Sequence, residues 1–307
     1  MDLVGYSHVY GAPPIELVGD VAGLTQLSPF APGAQALDDA LPQTLDGLVM
    51  LAPPGAIERR YVLAQALRAL KPRAPLLVLA PKDKGGSRLA QELTDFGCTF
   101  EESARRHHRI CLTQGPGEAA ALTAAIREGA PRLDDGLGLW TQPGVFSWNR
   151  IDPGSALLIA NMPPLAGRGA DLGCGLGVLS HAALASTKVK SLLMIDLDGR
   201  AIACARRNVA DERVSFLWCD ARKIPKTLQT HALDFIVMNP PFHENGHENQ
   251  ALGQSFIQSA AALLRTGGML WLTANRHLPY EPILKPLFKR ATLLKEAGGF
   301  KIYQAQK

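Results

Sequence analysis

Residues 168–196 read Arg168-Gly-Ala-Asp171-Leu-Gly173-Cys-Gly175-Leu-Gly177-Val-Leu-Ser-His-Ala-Ala-Leu184 and, after a short gap, Ser191-Leu-Leu-Met-Ile-Asp196. A short apolar run ends at Asp171, three glycines alternate with Cys174 and Leu176, and an apolar helical run begins at Val178. The pattern predicts a strand, a tight loop and a helix start. Glycine adopts φ values closed to other residues and leaves the backbone bare toward a ligand. Taken alone, such a run equally describes a turn packed on its own helix. The apolar run over 191–195 predicts a second strand, and Asp196 at its end stands where acids in nucleotide sites accept ribose hydroxyls.

The same loop discriminates between nucleotides. A pyrophosphate cofactor asks for Gly-x-Gly-x-x-Gly, whereas here the third glycine comes one residue early and Asp171 precedes the first. That carboxylate repels a pyrophosphate and attracts the amino group of S-adenosylmethionine. The predicted cofactor is therefore S-adenosylmethionine, held by Asp171, Gly173, Gly175, Gly177 and Asp196. Asp220, after a predicted strand over 214–218, either accepts the exocyclic amine of adenine or caps the turn that follows.

A further apolar strand over 233–238 runs straight into Asn239-Pro240-Pro241-Phe242-His243. In an open parallel sheet the carboxyl ends of the strands form the ligand crevice, so this segment is expected beside the glycine loop. The tandem prolines fix an extended backbone and leave Asn239 little freedom. Its side-chain oxygen and the Pro240 carbonyl can accept hydrogens from a planar amine, with Phe242 against the attached ring and His243 at the substrate. Such a clamp suits the exocyclic amine of guanine, whose lone pair is delocalised into the ring. Two acceptors favour a more localised pair and strengthen as positive charge develops on nitrogen. His243, His247 and Glu248 suggest a metal, but no further ligand has fitting spacing and none is predicted.

With 307 residues, 47% of them hydrophobic, the chain can bury one large core or two ordinary ones, and two fits better. No apolar run reaches membrane-spanning length, so no membrane partner is expected. The N-terminus lacks a basic leader with an apolar core, so no secretory signal is expected. Five cysteines without a Cys-x-x-Cys pair point to a reducing, cytoplasmic setting and no structural zinc. Residues 1–139 hold 13 Lys/Arg against 16 Asp/Glu, a net −3, and residues 140–307 hold 19 against 12, a net +7. The positive field accompanies the glycine loop, as a polyanionic partner or ordinary solubility would require.

The N-terminal half alternates strands over 47–52 and 76–80 with helices over 56–70 and 87–94, as an α/β domain does. It has no glycine loop followed by an acid-ended strand, so a structural or substrate-holding domain without cofactor is expected. Arg105, Arg106, His107, His108 and Arg109 form the densest basic cluster. They belong to a solvated loop or strand edge, or contact phosphates through Arg105, Arg106 and Arg109. A Pro/Gly-bearing stretch over 129–144 predicts the boundary, giving domains 1–139 and 140–307. Asp152-Pro153-Gly154-Ser155 predicts a capped helix entry.

The segment from Asp171 to Gly177, together with Asn239-Pro-Pro-Phe-His243, resembles the class I S-adenosylmethionine-dependent methyltransferases, specifically the bacterial guanine-N2 methyltransferases of small-subunit ribosomal RNA. Gly144-Val-Phe-Ser147, Asp152-Pro-Gly-Ser155 and Ser103-Ala-Arg-Arg106 are similar to further segments of that family. The resemblance implies an α/β fold of tandem methyltransferase-like domains, the C-terminal one a Rossmann-like, seven-stranded, mostly parallel sheet with helices on both faces. The N-terminal domain is then degenerate and aids folding or substrate recognition. It further implies cofactor contacts at Asp171, Gly173, Gly175, Asp196 and Asp220, and the target amine at Asn239 with its base near Phe242. The partner implied is 16S rRNA or the small ribosomal subunit, and the protein is expected to be a monomer. A similar two-domain family modifies 23S rRNA instead, and a non-catalytic RNA-binding or assembly protein is the reading from a different class.

Overall fold

The strand over 233–238 explains the architecture of the C-terminal half. Phe235 and Val237 face one hydrophobic core while Ile236 and Met238 face another, so the continuous apolar run reflects a strand buried on both sides. In the computed structural model, which describes residues 3–225, 232–241, 243–244, 247–248 and 250–307, the chain divides into two units. One comprises residues 1–131 with 142–144, and the other residues 132–141 with 145–307.

The second unit is built on seven strands: β1 (Gly167–Leu172), β2 (Val189–Asp196), β3 (Val214–Trp218), β4 (Leu233–Met238), β5 (Leu264–Asn275), β6 (Arg290–Ala297) and β7 (Phe300–Gln306). Their spatial order is β3-β2-β1-β4-β5-β7-β6. Pairing is parallel from β3 through β5, and β7 runs antiparallel to both neighbours. Helices α1 (Pro153–Asn161), α2 (Val178–Leu184) and α3 (Gly199–Asn208) contribute Leu158, Leu179, Ala183, Ile202 and Ala205 to one face. Helices α4 (Gln250–Leu263) and α5 (Glu281–Leu287) contribute Phe256, Ile257, Ala260 and Leu284 to the other. This is the expected seven-stranded, mostly parallel sheet covered on both faces.

The order reverses between β1 and β4, which pair in register as Met238 with Leu172 and Val237 with Asp171. That register brings the carboxyl ends of β1 and β4 side by side, and a doubly wound sheet binds its ligand at such a switch point.

The first unit carries six strands, Thr25–Gln26, His8–Tyr10, Leu48–Leu51, Pro75–Pro81, His108–Gln114 and Phe100–Arg105 in spatial order. This matches the second sheet from β2 to β6; among the described residues no strand takes the place of the outermost one, β3. The fold is thus a tandem of two sheets that share one strand order. Leu48–Leu51 occupies the β4 position and also leads into tandem prolines, Pro53-Pro54, but with Ala52 where the second unit has Asn239. Arg59, 2% exposed, donates from Nη1 to the carbonyls of Pro54 at 2.8 Å and Pro53 at 3.3 Å. Its Nε and Nη2 form a two-pronged pair with Glu92, both at 2.7 Å. The proline carbonyls here are occupied by the unit's own guanidinium.

One strand of this sheet is not announced by the sequence, while the basic cluster takes the strand-edge position expected of it. Residues 8–10 form a central strand of the first sheet, too short to carry a periodic signal. Residues 15–18 form a helical turn. The basic cluster lies in a hairpin of Phe100–Arg105 and His108–Gln114, whose outer strand is exposed and polar and so shows no apolar alternation.

Candidate active site

β1 and β2 end together because the N–H groups of Gly173 and Cys174 both donate to the Ile195 carbonyl, at 2.8 and 3.0 Å. The intervening loop needs glycine at all three positions, with φ of +76° at Gly173, +53° at Gly175 and +88° at Gly177. Their surroundings differ. A Cβ on Gly177 would stand 2.8 Å from Val209, so this glycine lets α2 pack closely, whereas one on Gly175 would meet only open space. Gly175 lines a cleft open to solvent, together with Phe146, Arg150, Asp152, Ser155 and Asn239.

Two acids stand behind this loop. Asp171 is fully buried; its Oδ2 accepts the Ser180 hydroxyl at 2.6 Å, and its Oδ1 has no hydrogen-bond partner among the described residues. Burial, augmented by the charge of Asp196, pushes its pKa up to about 7. Asp196 accepts the N–H of Gly175 at 2.8 Å and of Asp198 at 2.9 Å. Burial raises it to about 6 despite those bonds. Two carboxylates raised in this way favour a cation nearby and oppose an anion. An orphaned buried oxygen, a negative potential and a bare glycine edge fit the ammonium and sulfonium of S-adenosylmethionine and do not fit a pyrophosphate.

Asn239 follows β4, half-buried, with Pro240 buried behind it. Its Nδ2 donates to Asp152 Oδ2 at 2.8 Å and to Ser155 Oγ at 2.9 Å. The four residues from Asp152 to Ser155 each have a part in this contact. Asp152 caps α1 by accepting the Ser155 N–H at 2.8 Å, and Pro153 opens the helix. Gly154 passes so close to Phe300 that a Cβ would stand 2.6 Å from the ring. Ser155 then presents its hydroxyl to the amide. The sequence signalled the cap, but nothing local connects residue 152 with residue 239.

The other predicted residues are dispersed. Asp220 accepts the backbone N–H and the guanidinium of Arg222 at 2.9–3.0 Å. Burial pushes its pKa up, but the Arg222 bonds prevail and hold it below the ordinary carboxylate value. Its side chain is engaged in the turn that follows β3. Phe242 lies outside the described residues, as do the side chains of His243, His247 and Glu248; residues 243–244 and 247–248 pair as a short antiparallel ladder. Arg105, Arg106 and Arg109 belong to the first unit. Arg105 and Arg106 are exposed at the hairpin end, and Arg109 pairs with Glu102. Arg106 and His107 form the two-residue turn with φ of +45° and +61°. Sequence reasoning missed Phe146 as a cleft residue; its signal is a large aromatic left 58% exposed.

Comparison with known proteins places these features in a family. The family model described as methyltransferase small domain matches residues 136–304. A protein of Stutzerimonas stutzeri named ribosomal RNA small subunit methyltransferase C is 32% identical, over 96% of this chain and 92% of its own length. A Pseudomonas aeruginosa protein of the same name is 31% identical, over 92% and 86%. Among solved structures, the T. thermophilus 16S rRNA N2 G1207 methyltransferase in complex with AdoMet and guanosine superimposes with a TM-score of 0.77. It is 25% identical, and the match covers 99% of this chain and 88% of that one.

Proposed function

Because the chain belongs to the ribosomal RNA small subunit methyltransferase C family, we propose that it transfers a methyl group from S-adenosylmethionine to the exocyclic N2 of a guanine in 16S rRNA. The observation that carries the reading is the Asn239 amide, held at the carboxyl end of β4 directly beside the glycine loop. When bound, the cofactor supplies an electrophilic methyl group on a positively charged sulfur. Asp171 and Asp196 provide the negative potential for that cation, and the bare edge at Gly175 lets it approach the backbone. Asn239 Oδ1 and the Pro240 carbonyl accept the two hydrogens of guanine N2, aligning its lone pair with the methyl group. Were the methyl group transferred from the sulfonium, which would leave as the neutral thioether, the positive charge gained by N2 would lie against Asn239 Oδ1 and the Pro240 carbonyl. Both acceptors hold that charge more strongly than the neutral amine. Loss of one N2 proton to water then yields N2-methylguanine.

The first unit holds no cofactor in this reading. Ala52 replaces the clamp asparagine, and Arg59 occupies the proline carbonyls. Its role is RNA recognition or structural support, with Arg105, Arg106 and Arg109 as the candidate phosphate contacts and the cytoplasm as the setting, in keeping with free thiols at all five cysteines. No helix among the described residues is long and apolar enough to cross a membrane, and the protein acts as a monomer in this proposal.

The test is transfer of labelled methyl to unmodified 16S rRNA, small subunits, 23S rRNA and large subunits, each alone, with nucleoside analysis. N2-methylguanosine in small-subunit material is the expected result. Label confined to 23S rRNA would redirect the target, and no label despite cofactor binding would refute the reaction.

A further inference from the structure

We propose that Asp152 and Ser155 are positioning residues for methyl transfer, fixing the Asn239 amide with Oδ1 turned to the target amine; this rests on the function proposed above. The argument begins with what each group can do. An ionised carboxylate only accepts hydrogen bonds, so the amide that contacts Asp152 Oδ2 at 2.8 Å must present its nitrogen there. The second hydrogen of that nitrogen goes to Ser155 Oγ at 2.9 Å. Both Nδ2 donors are thereby used, and the amide is left with an acceptor as its only free face. An amide rotated by 180° would offer its oxygen to the Asp152 carboxylate, two acceptors in contact, and would aim donors at an amine that needs acceptors.

The supporting geometry is rigid on both sides. The same Asp152 oxygen that meets Asn239 also takes the Ser155 N–H at 2.8 Å, so the helix cap and the amide share one atom. Gly154 lies against the Phe300 ring on β7, and the fixed φ of Pro153 opens the helix. The start of α1 is therefore held to the sheet on which Asn239 sits. Asp152, Ser155 and Asn239 line one cleft with the glycine loop. A capping role alone requires neither the Asn239 contact nor the Ser155 hydroxyl, since the capped atom of Ser155 is its backbone nitrogen.

The test is steady-state methyl transfer by full-length Asp152→Ala, Asp152→Asn and Ser155→Ala, with cofactor affinity by calorimetry and folding by thermal melting. Loss of a preorganised polar contact lowers kcat by about 100-fold in comparable sites, so Asp152→Ala is expected to lose kcat on that order with KM for RNA and cofactor within about two-fold. Asp152→Asn keeps both an acceptor and a good cap and is expected to recover roughly ten-fold of that loss. Ser155→Ala retains the capped N–H, and so its fold, and is expected to lose about ten-fold in kcat alone. If Asp152→Ala fails to fold, Ser155→Ala decides the matter. A folded Ser155→Ala with wild-type kcat overturns the proposal, as does a loss in Asp152→Ala that falls on KM. Absence of transfer by the wild-type protein on every rRNA substrate would instead refute the underlying function.

Discussion

Replacing Asp171 with asparagine should make the cofactor-free protein more stable at alkaline pH while weakening its hold on the cofactor. Asp171 is fully buried and its pKa stands at about 7 instead of 3.8, chiefly through burial. The folded state therefore binds this proton more tightly than the unfolded state. The stabilisation is complete below the unfolded value and is lost as pH rises through about 7. At about 1.4 kcal/mol per pK unit, the raised pKa lowers apo-protein stability, relative to acid conditions, by roughly 4 kcal/mol at pH 8 and by roughly 2 kcal/mol at pH 5.5, where the unfolded chain alone is ionised. Asparagine removes the charge, but its Nδ2 inherits the unpartnered position of Oδ1, which costs about 1–3 kcal/mol at every pH. The wild-type protein should thus lose roughly 2 kcal/mol between pH 5.5 and pH 8 that Asp171→Asn does not. In thermal melts of the second unit that difference is about 4–8 °C. Saturating S-adenosylmethionine should protect wild type most at pH 8, where the carboxylate is ionised and ready to meet a cation, and protect the variant little. Equal pH dependence in the two apo-proteins would refute the burial argument. Unchanged cofactor affinity in the variant would remove Asp171 from the cofactor site.

Asn239→Ala should abolish methyl transfer while sparing cofactor affinity measured by calorimetry, because its amide is engaged with Asp152 and Ser155 and not with the glycine loop; turnover at the wild-type rate would eliminate the amine clamp. Neutralising Arg105, Arg106 and Arg109 together should weaken RNA association and flatten its dependence on log salt by up to about three counterions' worth of slope. An unaltered slope would return the hairpin to a merely solvated edge. Arg59→Ala leaves Glu92 buried without its partner and should destabilise the first unit by about 3–5 kcal/mol. Chemical denaturation checks this, and co-substitution with Glu92→Leu should recover much of the loss.

The parts of this protein that were legible in sequence are those whose physics is local. Alternating glycines permit the positive φ found at Gly173, Gly175 and Gly177 wherever the loop sits, and an uninterrupted apolar run signals that β4 is covered on both faces. Asp152-Pro153 similarly announces a helix start from its own atoms. The strand His8–Tyr10 was not legible, because three residues carry no period and its place in the sheet depends on Leu48–Leu51, forty residues away. Asp220 illustrates a different difficulty. Its position at a strand end allowed both a cofactor contact and a cap, and the nearby Arg222 engages it through a hydrogen-bond geometry that residue spacing does not encode.

The two units together explain why the Asn-Pro-Pro segment needs its surroundings. Both sheets place tandem prolines, with their carbonyls, after the strand that follows the reversal in order. In the first unit the preceding residue is Ala52, and a buried guanidinium donates to those carbonyls, as a planar amine would. In the second unit the preceding residue is Asn239, and its donors are drawn back by Asp152 and Ser155. In the first unit, then, the proline carbonyls hold a planar N–H group of the protein itself. On the proposed function, what the second unit adds is a second acceptor held from turning away, placed next to a loop backed by two buried carboxylates. That requirement spans residues 152–239, and only the folded sheet brings them together.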